Sequence, residues 1–138
     1  MCIRDRDPLL LLERFHGHLG PYVVLGYRMG RFARQALSAS PFELKAEVLT
    51  GNTRPLSCMA DGIQVGSGCT LGKGNITIRP DKKAEVLFIT RDGRSLRLRA
   101  RPSLIRRISS EVNENNIIDF AERLASQPDE NLFEVVDA

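Results

Sequence analysis

The chain has no tryptophan, only two histidines and only three cysteines among 138 residues, and aromatic side chains make up just 6% of it. Each shortage excludes something. So few cysteines rule out a disulfide-framed secreted miniprotein, which needs several bridges to replace a small core. No apolar run is long: Leu9–Leu12 is far short of the roughly 20 residues that carry a helix across a bilayer. That run is broken by Glu13 and Arg14 with no small-residue cleavage site, so no secretory signal is expected and the expected setting is cytoplasmic. Scarce aromatics also weigh against a single-strand nucleic-acid surface, where bases stack on such rings.

The residues present suit a single globular domain: 42% are hydrophobic, in a chain long enough for one core. Residues 1–7 fit poorly with the rest of the chain and read as a non-native leader, so Cys2 is set aside; residues 8–126 read as the core domain and 127–138 as a C-terminal tail. The net charge of +3 is unevenly spread. Seven arginines crowd between Arg91 and Arg107, a basic strand that either forms a solvated face or attracts nucleic acid, the latter being the less favoured reading.

Periodicity sets the elements. Leu9, Leu12 and Phe15 share one face of a short helix over 8–15. Pro21 suits the first position of the next, over 21–39, because its missing N–H has no partner there anyway. Gly26, Gly30 and Ala33 form a stripe on that helix; each glycine costs about 1 kcal/mol of propensity, worthwhile only if another backbone packs close. The helix is therefore expected to lie centrally, on a sheet. Phe42, Leu44, Ala46 and Val48 alternate with charged residues as in a half-buried strand. Residues 50–55 read as a turn, 56–65 as a short helix and 65–75 as a glycine-rich loop. Strands are expected over 75–79, 84–91 and 95–101, the last two joined by the Asp92-Gly93 hairpin signal. Helices over 102–112 and 116–125 complete the pattern. Helices before and after adjacent strands predict an α+β fold with a mostly antiparallel sheet and helices packed on one side.

Three features bear on chemistry. The loop GSGCTLGKGN resembles a phosphate-binding loop but lacks the spacing: five residues separate Gly66 from Gly72, three separate Gly68 from it, and Gly74 follows Lys73 where a hydroxyl is required. Both histidines sit in HGHLGP. In an extended segment residues two apart point the same way, so His16 and His18 either aim at one ligand or simply cap and pack. Cys58, Asp61 and Gln64 are spaced to share a helix face, with Cys69 beyond. Imidazole, thiolate and carboxylate are the ligands zinc prefers, and His16, His18, Cys58 and Cys69 are enough for one tetrahedral site, though the spacing matches no common zinc finger and the two cysteines read equally well as a buried and a loop thiol.

The stretches FHGHLGPYVVLGYRMG and CMADGIQVGSGCTLGKGN, in that order, resemble the FmdE family of formylmethanofuran dehydrogenase proteins over roughly residues 9–112. The resemblance implies an α+β core domain, often dimeric, carrying zinc or another transition metal. It implies His16, His18 and Cys58 as ligand candidates, with Cys69, Asp61, Thr70 and Lys73 lining the same pocket; Gln64, on the helix face of Cys58 and Asp61, is a further candidate to contact a bound ligand, and Lys73 to orient an anionic one. A small anionic ligand and molybdenum or tungsten oxidoreductase subunits are the implied partners, with no membrane. A stand-alone small metal-dependent enzyme is the alternative. Two departures stand out: Gly20 replaces the cysteine of the family's FHGH-x-CPG pattern, and no cysteine follows Cys69, so an appended zinc finger is absent from this sequence.

Overall fold

The computed structural model describes residues 3–136, with side chains described from residue 8 onward. The element order is α1 (Ile3–His16), α2 (Pro21–Leu37), β1 (Leu44–Val48), α3 (Cys58–Ser67), β2 (Ile76–Ile78), β3 (Glu85–Thr90), β4 (Ser95–Ala100), α4 (Pro102–Glu111), α5 (Ile117–Ala125), α6 (Asp129–Leu132) and β5 (Phe133–Val136). This is the expected α+β architecture. Helix α1 begins before the expected residue 8; of the presumed leader, Met1 and Cys2 lie outside the described residues.

The five strands form one sheet in the order β2-β1-β3-β4-β5. All pairings are antiparallel except β1 with β2, where Ala46 faces Ile76 in a parallel register. The physical reason is the connection: α3 lies between β1 and β2, and such a crossover returns the chain in its original direction. Leu44, Ala46, Val48, Val86, Phe88, Leu98 and Ala100 alternate inward and are buried against the helices. The opposite face carries Lys45, Glu47, Glu85, Arg97, Arg99 and Glu134, the charged half of the same alternation. Among the described residues no helix is long and apolar enough to cross a membrane.

Of the stretch read from sequence as a C-terminal tail, free to fray or to dock Leu132, Phe133 and Val135, residues Phe133–Val136 form an edge strand. Phe133 pairs with Ala100 and is buried with Leu132, while Val135 stays exposed. Arg28 of α2, only 6% exposed, holds this segment in place by donating to the Ala125 carbonyl at 2.9 Å and to Asp129 Oδ1 at 2.7 Å. Hydrogen bonds to charged groups of this kind are worth about 1.5–3 kcal/mol each.

The glycine stripe of α2 does meet a backbone, but it is that of α3 rather than the sheet. A Cβ on Gly26 would lie 2.1 Å from the Met59 carbonyl oxygen, and one on Gly30 2.7 Å from the Ser67 nitrogen. The approach is reciprocal: a Cβ on Gly62 would lie 1.9 Å from the Val23 oxygen, and one on Gly66 2.2 Å from that of Tyr27. Two glycine pairs at four-residue spacing thus let α2 and α3 cross in direct backbone contact. The sequence pattern reveals only the α2 half. Helix α3 also runs on through Ser67, two residues past its expected end, before Gly68 turns it off with φ +78°.

Candidate functional site

The crossing of α2 and α3 places the start of α3 beside the end of α1. His16 is the last residue of α1, and Gly17 turns the chain sharply with φ +107° and an amide bonded to the Glu13 carbonyl at 2.8 Å. Only glycine adopts that conformation without strain. The two imidazoles are brought together, with ring centroids 5.2 Å apart, by a helix end and a glycine bend rather than by the extended segment expected.

His16 Nδ1 lies 2.6 Å from Asp61 Oδ2 across the α1–α3 junction. With Nδ1–H donating to the carboxylate, His16 keeps Nε2 as a lone-pair donor. Gln64 Nε2 approaches the other Asp61 oxygen at 3.4 Å and accepts the Leu71 amide through Oε1 at 3.1 Å. The helix-face spacing of Asp61 and Gln64 therefore does produce a side-chain contact. Cys58 is half-buried at the first position of α3. Burial raises its thiol pKa above the ordinary value; the charge of Asp61 adds to the rise and that of Arg54 opposes it.

Two cavities meet here. The larger, of about 900 Å³, is lined by His16, His18, Cys58 and the start of α2, by residues 52–55, and by Ile108, Ser109, Val112 and Ile117 from the α4–α5 region. The second, of about 570 Å³, lies along α3 and β2 and includes Asp61 and Gln64. His16, Asn52, Arg54 and Cys58 belong to both walls. Residues 52–55, read from sequence as a turn, and the apolar wall from α4 and α5 are the parts that sequence reasoning missed. No local pattern marks them, because their proximity arises only when the helices pack.

The remaining expected site residues lie apart from these walls. Cys69 is fully buried; its thiol donates to the Leu44 carbonyl at 3.5 Å and burial raises its pKa. The Thr70 amide donates to Asn75 Oδ1 at 2.8 Å. Lys73 Nζ donates to Thr70 Oγ1 at 3.1 Å and sits over the Phe42 ring at 5.3 Å. The amides of Lys73 and Gly74 bond within the same loop. The glycine-rich loop spends its polar groups on its own shape, so its backbone forms no open cradle.

Donor chemistry for a transition metal is present on one wall: two imidazoles and a thiol, with a carboxylate behind one imidazole. Among the described residues no three His, Cys, Asp or Glu side chains stand close enough together, as placed, to hold one ion.

Over residues 15–134 the chain matches the family described as "FmdE, Molybdenum formylmethanofuran dehydrogenase operon". The chain belongs to the FmdE family. A relative from Archaeoglobus fulgidus, named "Probable S-adenosyl-L-methionine-binding protein", is 30% identical over 105 residues, covering 74% of this chain and 29% of that protein. The chain thus spans less than a third of that relative's length. Among solved structures, a tungsten formylmethanofuran dehydrogenase FmdE-like protein from Syntrophus aciditrophicus superposes with a TM-score of 0.64 at 19% identity, covering 96% of this chain and 70% of that one. At that identity the likeness speaks for the fold.

Proposed function

We propose that this FmdE-type domain binds a transition metal, most simply zinc, through His16, His18 and Cys58, and serves as an accessory or ligand-binding subunit in molybdenum- or tungsten-dependent formylmethanofuran dehydrogenase chemistry. The observation that carries the reading is the Asp61–His16 pair, whose imidazole stands on the cavity wall that also holds His18 and Cys58 while its carboxylate lies on the adjoining wall. A histidine ligand commonly donates its second ring nitrogen to a carboxylate, which fixes its tautomer and orientation. Asp61 is already placed for that task. A bound zinc would supply Lewis acidity to a ligand in the cavity. Residues of the chain do the rest: His16 is aimed by Asp61, the apolar wall limits water, and Arg54 offers positive charge. Cys69, Thr70 and Lys73 have structural roles in this reading, and Gln64 supports Asp61. A cytoplasmic setting and a homodimer or oxidoreductase-bound state belong to the proposal through the family resemblance.

The test is elemental analysis of the purified protein beside His18→Ala and Cys58→Ser. Stoichiometric metal in the parent protein and its loss from both variants is the expected result; equal metal in all three overturns it. Cobalt substitution separates the accessory role from a stand-alone metal-dependent enzyme, because an open coordination position with exchangeable water is what the enzyme requires. The ligand in the name of the A. fulgidus relative supports titration with S-adenosyl-L-methionine as well.

Nucleic-acid binding is disfavoured by the ion pairs of the basic segment. Arg97 pairs with Glu85, Arg99 and Arg101 with Glu134, Arg94 with Asp92 and Arg107 with Glu111, which accounts for five of its seven arginines.

A further inference from the structure

The cavity walls carry more information than the metal donors. Among the described residues Arg54 is the only lysine or arginine on either wall, and it stands where the two cavities join. The only carboxylate among the described residues of either wall is Asp61, already committed to His16 and Gln64. Among the described residues Arg54 has no carboxylate within ion-pair distance, whereas Arg28, Arg79, Arg97 and Arg99 each have one. Lys73, expected from the resemblance to line the same pocket, lies on neither wall and is tied to Thr70 and Phe42 instead. The larger cavity is also lined by the apolar Val23, Ile108, Val112 and Ile117, with Tyr22, beside the polar Asn52, Thr53 and Ser109. In the larger cavity Arg54 is therefore the one guanidinium or carboxylate group among the described lining residues, and a cation beside apolar side chains selects a particular kind of molecule.

We infer that the ligand of this cavity is a monoanion or dianion with an apolar body, its carboxylate or phosphate held by Arg54 at the junction of the two chambers and its body against the α4–α5 wall. This deepens the proposal above and rests on it only in taking this cavity as the functional site. A planar guanidinium grips either anion through paired N–H donors. The anion would then lie beside His16 and Cys58, which share the junction with Arg54.

Three probes of one shape test it: 1-naphthoate, 1-naphthyl phosphate and the uncharged 1-naphthalenemethanol, each titrated into the purified protein by NMR or calorimetry. Both anions should bind more tightly than the alcohol. Arg54→Gln, an exposed position, should weaken the anions by about tenfold and leave the alcohol unchanged. Ile117→Ala should weaken all three. The difference between the two anions identifies which oxyanion the site prefers. Equal binding of anions by the parent and Arg54→Gln, equal binding of anions and alcohol, or no binding of either anion overturns the inference. Metal content of the same samples is the separate readout: loss of the metal reading with Arg54-dependent anion binding intact would sink the former alone.

Discussion

Asp61 Oδ2 and His16 Nδ1 lie 2.6 Å apart although 45 positions separate them in the chain. Asp61→Asn keeps the shape but removes the negative charge and exchanges one carboxylate oxygen for an NH2 donor, so the group that aims His16 is weakened. The apparent metal affinity should fall by about 10–100-fold while the far-ultraviolet circular dichroism stays unchanged. Competition with a chromophoric chelator measures it; an unaltered affinity would show that Asp61 serves packing alone.

The α2–α3 crossing should be the least tolerant feature of the fold. A Cβ at Gly62 would meet the Val23 carbonyl oxygen at 1.9 Å, and both partners are backbone. Gly62→Ala should cost about 3 kcal/mol or more, with a drop in melting temperature of roughly 10 °C. Gly72→Ala is the control, since nothing lies within 4 Å of its added carbon; it should stay within about 0.5 kcal/mol of the parent. Urea titration of both variants decides the matter, and equal midpoints would contradict the crossing.

Gly20 occupies the position where the family pattern carries cysteine. A Cβ there would lie 3.1 Å from His18 Cε1 and 3.6 Å from its Nδ1, with backbone φ at −140° open to any residue. The His18 side chain lies at the surface and can shift by the few tenths of an ångström required. Gly20→Cys should therefore add a sulfur ligand, tightening zinc binding and intensifying the thiolate-to-metal absorption of a cobalt-loaded sample. A cobalt spectrum identical to that of the parent would show that the new thiol points away from the cavity.

Acid stability should depend on the edge strand. The hydrogen bond from Arg99 holds the Glu134 carboxyl below its ordinary value, and the charges of Arg99 and Arg101 act in the same direction. The unfolded chain, with the higher carboxyl pKa, takes up the proton first as pH falls. The stabilisation is therefore complete above the ordinary carboxylate value and is lost as pH drops through the lower, folded one. The urea midpoint of the parent should decline more steeply than that of Glu134→Gln between neutral pH and about pH 3. Parallel declines would mean that the carboxylate contributes nothing to the pH dependence.

Much of this was legible in one dimension because the relevant signals are local. Alternation of Leu44, Ala46 and Val48 with charged neighbours marks a strand with one wet face, and Asp92-Gly93 marks the hairpin of β3 and β4. Pro21 marks a helix start. The parallel β1–β2 pair escaped because β2 is only three residues long, and the sequence pattern around it does not show direction. The edge strand escaped because its burial depends on Arg28 reaching across from α2 to Asp129, a contact between residues 101 positions apart.

By itself the sequence determined the elements up to α5, the supply of metal-binding side chains and the family, since each rests on residue type at short spacing. Only the tertiary structure decided which of those side chains meet. Cys58 and Cys69 look equivalent as letters, yet one stands on the cavity wall and the other donates to a strand carbonyl in the core. Lys73 and Arg54 are each a cation beside a turn, yet only Arg54 faces the cavity. The reason is geometric: four glycines bring α2 and α3 into backbone contact, and that single crossing sets which way every residue at the start of α3 points.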